Sequence, residues 1–397
     1  MIAPEEFEAL LAPEVQRAIA DARGRNPADV ALDRRVPCAR LVATQVKYLQ
    51  RAERKLPSYA AAQCILPPRA FEQASSEACA ARKRIGGGSV LDLTCGLGSD
   101  ALALSRRFDR VVALERDGVL AAVARENFRR LGARNIEVVN ASAEEFLQRE
   151  GLRFDWIYAD PDRRSAEGRK LVRLEDCSPS IPALLPLVRR ASARLCLKNS
   201  PLFDVDEAFR LFPDARVEVL SLDGECKEVM IYADGGGPLL TATAIVAADG
   251  GAADDASGRR CGGTFSVRPG TPPPRLPEGF DPGRYRWLVV PDAALQKARL
   301  ARHHLAGRAD IWSDNGFGLS ADRPEGAIGR VFAVGEILPY DPQRLRRSLR
   351  GLGAEVLKRD FPLSAEETMR RLGVHAGDDV RLAFTKIDGR FWTIRLK

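Results

Sequence analysis

The chain has 397 residues and carries 61 Lys and Arg against 54 Asp and Glu, a formal net charge of +7. This length is enough for two to three domains with hydrophobic cores, so the composition excludes a small scaffold held together by disulfides. Because 51 of the 61 basic residues are Arg and ten are Lys, we take the basic excess as a sign of a polyanionic partner only where it clusters.

The eight cysteines are scattered and form no C-x-x-C pair. Their spacing therefore indicates neither a zinc nor an iron–sulfur site, and we predict no metal. A basic leader followed by an apolar segment is absent, as is an apolar run approaching about 18 residues. We accordingly expect a cytoplasmic protein with reduced thiols and no membrane association.

Residues 1–84 are predicted to be helical, because apolar side chains recur there at helical spacing. Phe7, Leu10 and Val15 form one such face, and residues 41–49 form another. This region could be a cap that packs against a sheet. Alternatively, its last part lines a ligand pocket, in which case Gln73, Ser75 and Ser76 are the contacts.

A short apolar strand at 90–93 is followed by a turn containing Gly96 and Gly98. Glycines at these positions permit the backbone conformations and the close approach that a nucleotide-binding loop requires. After the next helix, a second strand at 111–114 ends on Glu115, 17 residues beyond Gly98. An acid at that distance is typical of a residue that binds ribose hydroxyls, so the segment predicts a βαβ nucleotide site.

Asp92 helps to distinguish between a dinucleotide and a cationic ligand at this site. The pattern Gly96-x-Gly98-x-x-Ala101 also satisfies the loose dinucleotide fingerprint, which alone is weak evidence. However, an acid at the end of the strand would repel a pyrophosphate, whereas it suits the ammonium group and the cationic sulfur of S-adenosylmethionine (SAM). A nicotinamide or flavin cofactor, or a turn without a ligand, are the alternatives.

Further strands are predicted at 135–139, 154–159 and 194–198, and a closing pair at 216–222 and 228–233. This pattern predicts an α/β fold with a Rossmann-like, seven-stranded sheet. Residues just past the carboxyl ends of parallel strands form the ligand crevice. Ser142 and Ala143 would then lie near the adenine, and Asp160 would lie where the chemistry takes place.

The C-terminal third predicts small α+β modules. A turn-rich segment at 234–285 with a hairpin at 241–247 and 264–268 precedes a first module, predicted from a strand at 287–291, a helix at 292–301 and a strand at 329–334. A second module follows, predicted from a helix at 342–352, a strand at 355–359, a helix at 365–372 and two strands at 379–385 and 390–396 that join at Asp388-Gly389.

The helix at 342–352 carries Arg344, Arg346, Arg347 and Arg350. A solvated charged face is one interpretation of this cluster. Phosphate binding is the other, since no acidic residue interrupts the cluster.

Four motifs together resemble bacterial class I SAM-dependent methyltransferases that carry a C-terminal THUMP-like domain. They are Asp-Leu-Thr-Cys-Gly-Leu-Gly at 92–98, Asp-Pro-Asp-Arg-Arg at 160–164, Ser-Pro-Leu-Phe-Asp at 200–204 and Gly-Glu-Cys-Lys-Glu at 224–228. The resemblance implies a methyltransferase domain at 85–270, a ferredoxin-like module at 280–337 and a THUMP-like domain at 338–397. By analogy with true THUMP domains, it also implies an RNA substrate, either tRNA or rRNA.

Asp160-Pro161 resembles the Asp-Pro-Pro-aromatic motif of enzymes that methylate nitrogen. Asp162 and Arg163 replace the second proline and the aromatic residue, and an Arg plane can also stack on a base. No cysteine has the flanking pattern of carbon-methylating enzymes, so a nitrogen acceptor is preferred. His303 and His304 lie on a predicted helix of the first C-terminal module and are not expected to be catalytic.

The predicted catalytic residues are Asp160, Asp162, Arg163, Lys198 and Glu225. The predicted cofactor contacts are Gln73, Ser75, Asp92, Thr94, Gly96, Gly98, Glu115, Arg116, Ser142, Ala143 and Asp160. The alternatives are a small-molecule or protein methyltransferase and a non-catalytic RNA-binding protein with the same fold. The oligomeric state does not follow from the sequence.

Overall fold

The computed structural model describes residues 2–162, 173–247 and 259–397. Two compact units make up the chain. Unit 1 comprises Met1–Val217, Lys227–Pro238 and Ile245–Arg260. Unit 2 comprises Glu218–Cys226, Leu239–Ala244 and Cys261–Lys397. Several strands of the central region are thus divided between the units.

Unit 1 begins with short helices, as the apolar spacing predicts. They are α1 (Pro4–Leu11), α2 (Pro13–Asp21), α3 (Pro27–Leu32), α4 (Ala39–Lys55), α5 (Pro57–Ala61), α6 (Pro68–Gln73) and α7 (Glu77–Ala80). Most of them start with proline, whose fixed φ and missing N–H suit the first helical position. The longest, α4, buries Val42, Val46 and Leu49 along one face, which is the amphipathic pattern expected of a helix on a core.

Alternating strands and helices follow. They are β1 (Gly87–Asp92), α8 (Ser99–Ser105), β2 (Phe108–Leu114), α9 (Gly118–Arg130), β3 (Ile136–Val139), α10 (Ala143–Leu147), β4 (Trp156–Ala159), α11 (Ile181–Ala191), β5 (Leu195–Asn199), α12 (Val205–Leu211), β6 (Arg216–Leu222) and β7 (Glu225–Ala233). These confirm the strands predicted from the sequence.

The sheet has nine strands in the order β3-β2-β1-β4-β5-β7-β6-β8-β9, in which β8 (Leu239–Ala247) and β9 (Arg259–Val267) extend the seven strands predicted from the sequence. Strands β1 to β5 pair in parallel, and β7 is antiparallel to β5. Val90, Leu91 and Ile157 are fully buried between the covering helices, which explains why these strands are apolar without alternation. The order reverses beside β1, and a doubly wound sheet binds ligands at that switch point, outside the carboxyl ends of its strands.

The chain continues through β8 (Leu239–Ala247) and β9 (Arg259–Val267) into unit 2. The remaining elements are β10 (Trp287–Pro291), α13 (Ala293–Lys297), α14 (Ala301–Leu305), β11 (Gly318–Ser320), β12 (Gly329–Pro339), α15 (Pro342–Leu349), β13 (Gly353–Lys358), α16 (Ala365–Leu372), β14 (His375–Ala376), β15 (Val380–Ile387) and β16 (Arg390–Leu396).

Strand β12 pairs with both β10 and β16. The segments predicted as two C-terminal modules therefore share one sheet, of order β11-β10-β12-β16-β15-β13-β14. One apolar cluster surrounds Leu288 and Ile394. A second joins the buried faces of α15 and α16 to Phe384. The domain boundaries given above stay a prediction.

Two predicted helices are shorter than expected. The helix predicted at 292–301 is two helices, because Arg299 adopts a left-handed φ of 57° and interrupts it. The helix predicted at 342–352 ends at Leu349, where Arg350 turns to an extended conformation and Gly351 takes a positive φ. By contrast, the predicted Asp388-Gly389 turn is confirmed, with both residues at positive φ, as a type I′ hairpin requires.

Candidate functional site

A cavity of about 990 Å³ opens at the carboxyl ends of β1, β2, β4 and β5. The segments that line it are residues 93–97, 114–117, 141–144 and 160–162, together with parts of 67–75 and 198–202. All of them belong to unit 1. The volume is at the upper end of the range for sites that bury one drug-sized ligand, about 300–1,000 Å³. A cofactor and part of a second substrate can therefore be accommodated together.

The loop between β1 and α8 is shaped by its two glycines. Gly96 and Gly98 have φ values of 56° and 90°, which are unfavourable for residues with a Cβ. In addition, a Cβ on Gly98 would lie 2.3 Å from Cζ of Phe128. Gly98 is not among the cavity-lining residues, so its role is to let the loop turn into α8. Gly96 does line the cavity.

Glu115 follows β2, and its carboxylate is hydrogen-bonded to the backbone of the glycine loop. Its Oε2 accepts a hydrogen bond from the Gly96 N–H at 2.9 Å, and its Oε1 accepts one from the Asp117 N–H at 2.9 Å. Burial raises the pKa of this carboxyl. Because Glu115 also lines the cavity, it lies where the sequence predicts a ribose-binding acid.

Asp92, the last residue of β1, lies beneath the loop and is 1% exposed. Its Oδ1 accepts hydrogen bonds from the Thr94 N–H and hydroxyl, at 2.8 and 3.3 Å. Its Oδ2 has no hydrogen-bond partner among the described residues. A buried carboxylate oxygen without a partner is costly, and burial raises the pKa of Asp92 to about 8. A cationic ligand group would satisfy it, which fits the ammonium group of SAM.

Asp160 follows β4 and forms an ion pair with Lys198 of β5. The Asp160 N–H donates to the Thr94 hydroxyl at 2.7 Å. Burial alone would lower the pKa of Lys198, but the carboxylates around it, Asp160 first, raise it. Lys198 is therefore held as a cation beside the Asp160 carboxylate. The Thr94 hydroxyl thus connects the backbone of Asp160 to the carboxylate of Asp92.

A buried charged cluster lies behind these residues and was not predicted from the sequence. Lys83, 1% exposed, forms ion pairs with Asp100 at 3.0 Å and Glu228 at 2.9 Å. Asp100 also accepts hydrogen bonds from the Ser75 and Tyr158 hydroxyls, at 2.8 and 2.9 Å. Glu228 belongs to the motif at 224–228 and Ser75 is a predicted contact, but no pattern in the sequence indicates that Lys83 and Asp100 meet them.

The structure places most of the predicted site residues at the cavity. Those that line it are Gln73, Ser75, Thr94, Gly96, Glu115, Arg116, Ser142, Ala143, Asp160, Asp162 and Lys198. Ser142 caps α10 through a capping box with Glu145. Asp92 and Gly98 support the loop from outside the lining. These positions are consistent with the predicted roles, which stay predictions.

Two further predicted site residues do not line the cavity: Ser76, whose hydroxyl caps α7, and Glu225. Arg163 lies outside the described residues. Glu225 is the exposed first residue of β7 and belongs to unit 2.

His304 has a structural role. Its Nε2 accepts a hydrogen bond from the Ile328 N–H at 2.9 Å, and burial lowers its pKa to about 4. Within the described ranges, no cluster of three His, Cys, Asp or Glu side chains is arranged to hold a metal ion. Likewise, none of the helices there combines the length and the apolar character needed to cross a bilayer.

Comparison with known proteins shows what the chain is similar to. Residues 329–397 match the model of the THUMP domain-like family, and residues 71–174 match the family called Conserved hypothetical protein 95. A Mycobacterium tuberculosis protein named an uncharacterized S-adenosylmethionine-dependent methyltransferase is 29% identical over 339 residues, which cover 83% of this chain and 87% of that protein.

Ribosomal RNA small subunit methyltransferase J of Coxiella burnetii is 32% identical over 129 residues, covering 29% of this chain and 51% of that protein. Among solved structures, one from Porphyromonas gingivalis, described as a methyltransferase, has the same fold. It gives a TM-score of 0.77 at 22% identity and covers 100% of this chain and 99% of that one. By these likenesses the chain is a SAM-dependent methyltransferase whose residues 329–397 are similar to a THUMP domain.

Proposed function

We propose that the enzyme methylates a nitrogen atom of an RNA base and that Asp160 orients the acceptor. The observation that carries this proposal is the Asp160–Lys198 ion pair, which lies in the same cavity as the glycine loop. SAM supplies an activated methyl group, so the protein has mainly to align the acceptor. An ionised carboxylate beside the acceptor accepts a hydrogen bond from an amino or ring N–H.

Asp160 would direct the nitrogen lone pair toward the methyl group and would accept the proton that the nitrogen loses. Lys198 holds the carboxylate in place through their ion pair. The hydrogen bond from the Asp160 N–H to Thr94 fixes the backbone of the same residue. These contacts exist before the substrate binds, and such preorganisation is what transition-state stabilisation requires.

Carbon methylation is less consistent with the cavity. One relative, which matches 90 residues and 20% of its own length, is named a 23S rRNA (uracil(1939)-C(5))-methyltransferase, and attack on carbon commonly uses a cysteine thiolate. The cysteine that lines this cavity in the described part of the chain is Cys95. Burial raises its pKa well above the ordinary value. Cys95 is thus a protonated thiol, unsuited to nucleophilic attack.

Two observations support RNA as the substrate class. Two partial relatives carry names of ribosomal RNA methyltransferases, and the C-terminal domain matches a THUMP-like model. The relatives' names favour rRNA over tRNA. An enzyme with this substrate would act in the cytoplasm. If no RNA is methylated, two alternatives follow. The enzyme methylates a small molecule or a protein, or the protein binds RNA without catalysis.

The test uses total RNA from a strain that lacks the gene and tritiated SAM. Wild-type protein should incorporate label, and digestion to nucleosides should place the methyl group on a base nitrogen. Asp160→Asn keeps the shape but loses the charge, so it should lower the single-turnover rate about 10²-fold. SAM affinity and melting temperature should change little. An Asp160→Asn enzyme with the wild-type rate, or label on a base carbon, would refute the proposed mechanism.

A further inference from the structure

Leu202 leaves an apolar side chain in solvent at the cavity mouth. It lines the cavity and is 64% exposed. Among the described residues, few large hydrophobic side chains are this exposed, and Leu32, at 83%, lies away from the cavity. A single exposed leucine needs no explanation by itself. However, Leu202 lies only four residues beyond Lys198, so a substrate in the cavity could contact it.

The chain holds Leu202 outward by a short, well-defined turn. The Phe203 N–H donates to the Ser200 carbonyl at 3.0 Å, and the Leu202 N–H donates to the Ser200 hydroxyl at 3.0 Å. Phe203, the next residue, is buried and anchors the turn to the core. The side chain of Leu202 is therefore presented to solvent by rigid neighbours, and a ligand that contacts it would meet a preorganised surface.

The described residues that line the cavity include no Phe, Tyr, Trp or His. Enzymes that act on a base usually stack it on aromatic or apolar side chains. The lining does hold aliphatic groups, among them Pro161, Pro179, Pro201 and Leu202. A base that reaches Asp160 through this cavity would therefore pack on aliphatic rather than aromatic side chains.

A cation lies at the same mouth. Arg69 lines the cavity, and its side chain is 55% exposed. Within the part of the chain that the structure describes, it forms an ion pair only with Asp162, at an N–O distance of 3.7 Å, which is too long for a hydrogen bond. The guanidinium thus keeps donors available for a phosphate. The apolar surface at Leu202 suits the base of a nucleotide, and the Arg69 cation suits its phosphate. Both groups line the cavity that contains the Asp160 carboxylate.

We infer that the cavity mouth binds one unpaired nucleotide of the RNA, with its base against Leu202 and its phosphate on Arg69. The inference rests on the proposed function and adds to it the residues that select the substrate. A base inside a duplex is stacked and cannot reach Asp160, so the acceptor is an unpaired or extruded base. Leu202 acts in substrate binding, before methyl transfer.

The test measures the concentration of total RNA, from the strain that lacks the gene, that gives half the maximal methylation rate. Leu202→Asp should raise this concentration at least tenfold, because a charged group replaces an apolar contact. Leu202→Met, which keeps the volume and the apolar surface, should recover most of the affinity. The matched control is Leu32→Asp, an equally drastic change at a more exposed leucine, which should have no effect.

Arg69→Gln should weaken RNA binding and flatten its dependence on salt concentration. SAM affinity and melting temperature should match the wild type in all these variants. A Leu202→Asp enzyme with wild-type RNA affinity would overturn the inference, as would a Leu202→Met enzyme as impaired as Leu202→Asp. The proposed function fails in a different way: the wild-type enzyme itself would then methylate no RNA.

Discussion

Asp92 combines two properties that rarely coexist in one carboxyl group. It is buried, and one of its oxygens lacks a hydrogen-bond partner among the described residues. Burial raises its pKa to about 8, so the free protein holds the group protonated at neutral pH. A cationic cofactor would favour the ionised form. The cofactor and a proton therefore compete for Asp92.

This competition predicts a pH dependence for cofactor binding. Below about pH 8, SAM binding should release a proton, so the affinity should rise as the pH rises. The association constant for SAM should rise by nearly tenfold per pH unit and become constant above about pH 8. Calorimetry at pH 7 in two buffers of different ionisation enthalpy measures the released proton directly. Equal binding enthalpies in the two buffers would contradict the prediction, and Asp92→Asn should abolish any difference.

The same group affects stability in the opposite direction. An unfolded chain releases the Asp92 proton near pH 3.8, whereas the folded protein keeps it up to about pH 8. Between these values the native state binds more protons than the unfolded state. The contribution of Asp92 to stability therefore falls as the pH rises through this window. SAM should offset that loss because it binds the ionised form.

At the scale of elements, the turn from β1 into α8 depends on a contact that crosses to α9. Gly98 has a positive φ, and its Cα faces the ring of Phe128 on α9. The ring leaves no room for a Cβ. The glycine motif is thus fixed by two requirements, one on the backbone and one on packing, and the sequence pattern reveals the first of them.

Gly98→Ala should therefore lower the free energy of unfolding by more than the backbone conformation alone requires. The matched control is Gly132→Ala, at a φ of 68° with open space around the new methyl group. The control should cost about 1 kcal/mol, the usual penalty for a left-handed residue. Gly98→Ala should cost at least about 2 kcal/mol more, because Phe128 must move. Urea denaturation of both variants measures the difference, and similar losses would show that the ring adapts freely.

In the molecule as a whole, basic side chains cluster on α15 and at the C-terminal end of α16. Arg344, Arg346, Arg347 and Arg350 are exposed, and Arg346 and Arg350 lie close to Gly373, at the C-terminal end of α16. Arg370 and Arg371 occupy the last turn of that helix. The cluster predicted from one helix is thus a surface to which two helix ends contribute. Its role in binding RNA stays a prediction.

Replacing Arg344, Arg346, Arg347 and Arg350 by Gln should weaken RNA binding for all sequences alike. The slope of log K against log salt concentration should become less negative by about 0.7 for each phosphate of a single strand that the variant no longer contacts. SAM affinity should not change, because these residues do not line the cofactor cavity. Filter binding over a salt series, with an unstructured RNA oligonucleotide, gives the slope. A slope equal to that of the wild type would make the cluster an ordinary solvated face.

The sequence by itself determined the order of strands and helices, the glycine loop and the positions of Asp92, Glu115 and Asp160, because hydrophobic periodicity and turn residues are local signals. It also supported the assignment of SAM over a dinucleotide. The tertiary structure decided which distant residues meet. Three contacts join residues that are distant in the chain. They are the ion pair of Lys198 with Asp160, the ion pairs of buried Lys83 with Asp100 and Glu228, and the packing of the Phe128 ring against Gly98. Such contacts leave no local pattern, because they depend on how β1, β4 and β5 align and on which side chains then share a volume closed to water.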